Sequence, residues 1–136
     1  MLIREGRVVD PSQGLDAMRD VRIRDGLIAE IGEHLQPEAG EDSLDAKGAV
    51  VAPGFIDMHV HLREPGFADK ETIATGTQAA LQGGFTAVAA MPNTQPPLDT
   101  PEVLAQLAAI VARDARCGVF AIAAITRARA GALPVD

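Results

Sequence analysis

Apolar and polar positions follow two regimes along the chain. Residues 2–9 alternate weakly and predict a strand. The stretch "DVRIRDGLIAEIG" (20–32) predicts a β-hairpin, because Asp25-Gly26 is a two-residue turn signal between β-branched runs. Residues 33–48, "EHLQPEAGEDSLDAKG", are acidic and rich in turn formers and read as a loop. "AVVAPGFIDMHVHL" then gives a short strand, a Pro-Gly break at 53–54 and a second strand over 55–62.

Beyond that break, strands and helices alternate. Asp69 is the expected N-cap of a helix over 70–82, closed by Gly83-Gly84. "FTAVAAM" (85–91) is a continuous apolar run, as suits a strand buried on both faces. Thr100-Pro101 starts a second helix, followed at helical spacing by Val103, Leu104, Leu107, Ala108 and Val111. Arg113 and Arg116 are expected in its last turn, and Gly118 at its end. "VFAIAAI" (119–125) is a third buried strand. The fold class is therefore α/β: an all-β module over 1–52, then a β-α-β-α-β portion over 53–136 with a parallel sheet.

Composition narrows the classes of function. Hydrophobic residues make up 47%, which fits a folded chain rather than a disordered one. No run of about 18 apolar residues predicts a transmembrane helix, and no signal-peptide pattern opens the chain. The single Cys117 has no internal partner for a disulfide, so the expected location is the cytoplasm. The net charge is −7, with 11 acids against 6 bases in residues 1–48 and 8 against 6 thereafter. With no basic patch, and with Tyr and Trp absent, nucleic acid is not an expected partner, nor is a membrane.

The candidate chemistry sits in "VAPGFIDMHVHLREPG" (51–66). On a regular strand Asp57, His59, His61 and Arg63 share one face, and Met58, Val60 and Leu62 the other. Two histidines on one face can offer imidazole nitrogens to a common metal ion. An arbitrary H-x-H more often marks two ordinary hydrogen-bonding histidines. Here the motif closes the first strand of a βα series, where ligands bind beyond the carboxyl ends of strands. "MPNT" places Asn93 at the same rim, either capping a turn or orienting a substrate. His34 is expected to be solvated, Asp57 to make a structural hydrogen bond, Glu64 to position Arg63 or face solvent, and Glu71 to start a helix. Cys117 is expected to be inert.

The segment "PGFIDMHVHLREPGFADKETIATGTQAALQGGFTAVAAMPNTQPP" resembles the amino-terminal part of bacterial dihydroorotases, within the amidohydrolase superfamily that includes hydantoinases and allantoinases. "PGFID", "HVHLREPG" and "MPNT" carry the resemblance, which extends over essentially the whole chain. It implies the first three βα units of a (β/α)8 TIM-type barrel, preceded by part of a small β-sandwich domain. It implies zinc, two ions per complete site, with His59 and His61 as ligands of the more buried one. Arg63 and Asn93 match the pair that holds the substrate's carboxylate. The implied reaction is the interconversion of N-carbamoyl-L-aspartate and L-dihydroorotate in pyrimidine synthesis. The alternatives are an allantoinase or hydantoinase, and a non-catalytic dihydroorotase-like subunit that scaffolds aspartate carbamoyltransferase.

A complete barrel takes about 250 residues. The bridging ligand, the later histidines and the general acid/base aspartate of the family have no match in these 136 residues, so no catalytic residue is assigned within them. The chain is accordingly expected to be a fragment, inactive alone, whose open sheet edge a homodimer would cover.

Overall fold

The computed structural model describes residues 1–135. The chain divides into two units, Met1–Pro53 and a second that begins at Gly54.

The first unit is a five-stranded sheet. Its strands are β1 (Leu2–Asp10), β2 (Leu15–Arg24), β3 (Leu27–Gly32), β4 (Ser43–Asp45) and β5 (Val50–Val51). The order is β3-β2-β1-β4, with β5 also paired to β1. β1, β2 and β3 form an antiparallel meander, while β4 and β5 run parallel to β1. The hairpin between β2 and β3 turns at Asp25 and Gly26, both with positive φ (51° and 75°), as a tight turn of the primed type requires. The acidic stretch read as loop contains β4. Three residues, Ser43, Leu44 and Asp45, pair with Leu2, Ile3 and Arg4. So short a segment leaves no periodicity for a sequence to display. Near it Arg22, buried, directs Nε to Glu41 at 3.1 Å and Nη2 to the Gln36 carbonyl at 2.6 Å, and pairs with Glu30. A buried guanidinium needs such partners to offset its desolvation.

The second unit alternates β6 (Phe55–Val60), α1 (Ile73–Gln82), β7 (Phe85–Ala90), α2 (Pro101–Asp114) and β8 (Gly118–Ala121). The three strands are parallel in the order β6-β7-β8. Leu62, Ile73, Val88, Ala90, Leu98, Val103 and Leu107 form the core between this sheet and the two helices. Ile73 and Leu98 are fully buried, and each such side chain stabilises by about 1.5–3 kcal/mol. The opposite sheet face leaves Ile56, Met58 and Phe120 exposed. No helix among the described residues is long and apolar enough to cross a membrane.

Both helices start where hydroxyl caps permit. α2 follows the expectation: Thr100 accepts from the Val103 amide, and Pro101 takes the first position. α1 begins three residues later than Asp69 suggested. Residues 67–71 are held in a turn by Lys70 N and Glu71 N donating to the Phe67 carbonyl. Thr72 is the cap, in a reciprocal box with Thr75. α2 also ends earlier than Arg116 and Gly118 suggested. Ala115 is extended, and the Arg116 amide leaves the helix to donate to Thr77 Oγ1 at 3.0 Å. Gly118 then opens β8, which is four residues long.

Candidate functional site

The carboxyl ends of β6 and β7 meet in two interlocked loops. Met91 N donates to the Val60 carbonyl, and Gln95 N to the Pro65 carbonyl at 3.0 Å. Gly66, at φ 104°, lies against Gln95 so closely that an added Cβ would stand 2.1 Å from the Gln95 carbonyl oxygen. The loop carrying Arg63 and the loop carrying Asn93 are thereby held as one body.

β6 is not a regular strand. Asp57 pairs with Val88 and Val60 with Ala90, so three residues on β6 advance against two on β7. That is a bulge with one extra residue. Val88 and Ala90 both face the core, so Asp57 and Val60 face it too, with Met58 and His59 between them and exposed. The single face expected for Asp57 and His59 is therefore broken. Asp57 turns instead to a groove of about 370 Å³ beside α1, lined also by His61, Glu71, Gly76 and Ala79. Its carboxylate accepts from the His59 amide at 3.0 Å, a structural hydrogen bond that fixes the bulge.

His59 and His61 come together. Their ring centres are 5.3 Å apart, at 73° to one another. Two imidazoles bound in plane to one tetrahedral ion, at about 2.0–2.1 Å, have centres about 5 Å apart. The spacing is compatible with two imidazoles sharing one metal ion. Among the described residues no group of three or more His, Cys, Asp or Glu forms a metal-holding cluster. His61 Nδ1 lies 2.8 Å from Asn93 Oδ1, so the rim asparagine reaches the second histidine directly.

Arg63 lies just past the strand at φ 65°. The Glu64 amide donates to the Leu62 carbonyl at 2.9 Å, closing a three-residue γ-turn around Arg63. This conformation is rare and strained for a side-chain-bearing residue, and such strain concentrates at functional sites. The Arg63 carbonyl accepts from Phe67 N at 2.9 Å. Its half-buried guanidinium has no ion pair or hydrogen bond among the described residues. The adjacent Glu64 makes no ion pair with it; its Oε2 accepts the Ile73 amide at 2.7 Å at the start of α1. This leaves a cation open to an external anion.

Two features escaped the sequence reading: the bulge, which has no compositional mark, and the Glu64 cap. The "TIAT" stretch carried a readable signal for the true start of α1, a hydroxyl at each end of a three-residue step. His34 is exposed, as expected. Burial pushes the Cys117 thiol up from its ordinary range, which suits an unreactive side chain.

The dihydro-orotase-like family model matches residues 48–132. This chain belongs to that family. Among curated relatives it is 48% identical over 131 residues to the dihydroorotase of Citrifermentans bemidjiense, and 47% identical to those of Geobacter sulfurreducens and Trichlorobacter lovleyi. These alignments cover 96% of this chain and 31% of each relative, so the chain spans about a third of the length of the proteins it matches. Among solved structures, dihydropyrimidinase from Brevibacillus agri aligns with a TM-score of 0.76 at 27% identity, over 92% of this chain and 27% of that one. L-hydantoinase from Arthrobacter aurescens reaches 0.83 at 21% identity, over 92% and 28%, a likeness of fold.

Proposed function

We propose that this chain is part of a zinc-dependent dihydroorotase that interconverts N-carbamoyl-L-aspartate and L-dihydroorotate. One observation carries the reading: a histidine pair with metal-compatible spacing, next in the chain to an arginine held in a strained turn without a counterion. The relatives named dihydroorotase support it. β6, β7 and β8 are read as the first strands of a (β/α)8 barrel, with the site at its carboxyl-end rim. The first unit is read as part of a β-sandwich.

His59 and His61 would hold zinc, which when bound acts as a Lewis acid toward the cyclic amide carbonyl and lowers the pKa of its water. The Arg63 guanidinium meets the substrate carboxylate with two parallel hydrogen bonds. Its turn sets where the Arg63 side chain leaves the backbone, at the carboxyl end of β6. Asn93 donates its side-chain amide to the same carboxylate. The interlocked loops keep these groups in register with the histidines. The compartment is read as the cytoplasm.

The test is turnover of dihydroorotate, allantoin and hydantoin by the purified full-length protein, with its zinc content. Bound zinc and preference for dihydroorotate are expected. His61→Ala should abolish turnover, and Arg63→Met should raise KM for dihydroorotate by roughly 100-fold or more while leaving zinc in place. Faster hydrolysis of the neutral rings would move the assignment to a hydantoinase or allantoinase. Absence of both zinc and turnover would favour a non-catalytic subunit that scaffolds aspartate carbamoyltransferase.

A further inference from the structure

We propose that Asn93 is a positioning residue for His61, fixing that imidazole as its Nδ1–H tautomer and so reserving Nε2 as the nitrogen that can take a metal. A neutral imidazole carries one protonated nitrogen and one lone pair, and the partner of one nitrogen selects the role of the other. A side-chain amide oxygen accepts and cannot donate. Asn93 Oδ1 lies 2.8 Å from His61 Nδ1, an arrangement that suits a protonated Nδ1.

The two side chains are 32 positions apart in the sequence, so their approach is made by the fold and not by local chain geometry. Met91 N bound to the Val60 carbonyl, and Gln95 N bound to the Pro65 carbonyl, tie down the chain on both sides of the pair. His59 differs. Its ring has no hydrogen bond among the described residues and makes an edge-to-face contact with the His61 ring. The two histidines are thus inequivalent: the fold selects the donor atom of His61 and leaves that of His59 to the metal. Asn93 Nδ2 has no hydrogen-bond partner among the described residues. One side chain can hold the histidine through oxygen and a carboxylate through nitrogen.

The consequence for metal affinity rests on the zinc reading above, whereas the tautomer does not. The experiment is a long-range proton–nitrogen NMR spectrum of the ¹⁵N-labelled, metal-free full-length protein at alkaline pH, where imidazoles are neutral. Alongside it, zinc affinity is measured by competition with a chelator. His61 is assigned by its loss in His61→Gln. The expected wild-type result is a protonated Nδ1 and a lone pair on Nε2 of His61. Asn93→Asp keeps an acceptor and should keep that tautomer. Asn93→Leu should give mixed tautomers at His61 alone and a zinc affinity 10–100-fold weaker. An Nε2–H tautomer in the wild type overturns the proposal, even if the leucine variant does not fold. So does a leucine variant with an unchanged tautomer, whatever its affinity. A wild type that binds no zinc overturns the metal reading and leaves the tautomer result to stand or fall separately.

Discussion

Gly66 and Gln95 touch backbone to backbone, with room for a hydrogen but not for a methyl group. An added Cβ would lie 2.1 Å from the Gln95 carbonyl oxygen, and the φ of 104° at Gly66 is one that side-chain-bearing residues rarely adopt. Gly66→Ala is therefore expected to push the two rim loops apart. Strain of this kind costs about 1–3 kcal/mol. The loss in kcat/KM should exceed what the melting temperature suggests, because the displaced loops carry Arg63 and Asn93. Parallel thermal melts and turnover of the full-length protein check this; unchanged turnover would show that the loops move independently.

Glu64 should act on α1 rather than on Arg63. Its carboxylate satisfies the Ile73 amide at the positive end of the helix. Glu64→Ala is expected to destabilise by about 1 kcal/mol, and Glu64→Gln, which keeps an acceptor, by less. Chemical denaturation midpoints measure both.

Thr77 joins α1 to the segment after α2. Its buried hydroxyl donates to the Ile73 carbonyl at 2.5 Å and accepts from the Arg116 amide at 3.0 Å. Thr77→Val preserves shape and strands that amide, at a cost of about 1–3 kcal/mol. Thr77→Ser should recover most of the loss. Amide exchange at Arg116 would report the event directly, quickening in the valine variant.

Acid should loosen the first unit through Glu41. Its carboxyl is held below the ordinary glutamate range, chiefly by the Glu38 amide and then by Arg22, against the opposing effect of burial. A lowered folded value means that the stabilisation is complete above the ordinary range and is lost as pH falls through the lowered one. The stability difference between wild type and Glu41→Gln should be largest near neutrality and shrink below about pH 4. Denaturation at a series of pH values tests this; a gap independent of pH would assign the effect to packing.

Much of the fold was legible because its signals are local. Asp25-Gly26 marks its turn and Thr100-Pro101 its helix start, since both depend on a few adjacent residues. The first helix was misplaced because several polar residues compete for its cap, and the choice of Thr72 over Asp69 depends on the turn that Phe67 makes with Lys70 and Glu71. β4 was invisible because three residues owe their pairing entirely to β1. At the site, the proximity of His59 to His61 followed from spacing alone. The contact of His61 with Asn93, and the lone guanidinium of Arg63, depend on two loops locking across distant sequence, which no short window contains.

The bulge in β6 sets the phase of everything downstream of it. Up to Asp57 the strand keeps one beat of inside and outside; from Val60 it keeps the opposite one. Removing Met58 would take out the extra residue and restore a strict two-residue rhythm, with His59 opposite Ala89 on the outward side and Val60 still opposite Ala90. A single-residue deletion there should thus straighten the strand while leaving Val60, His61 and Leu62 on the faces they now hold, and many substitutions at the exposed Met58 should pass unnoticed.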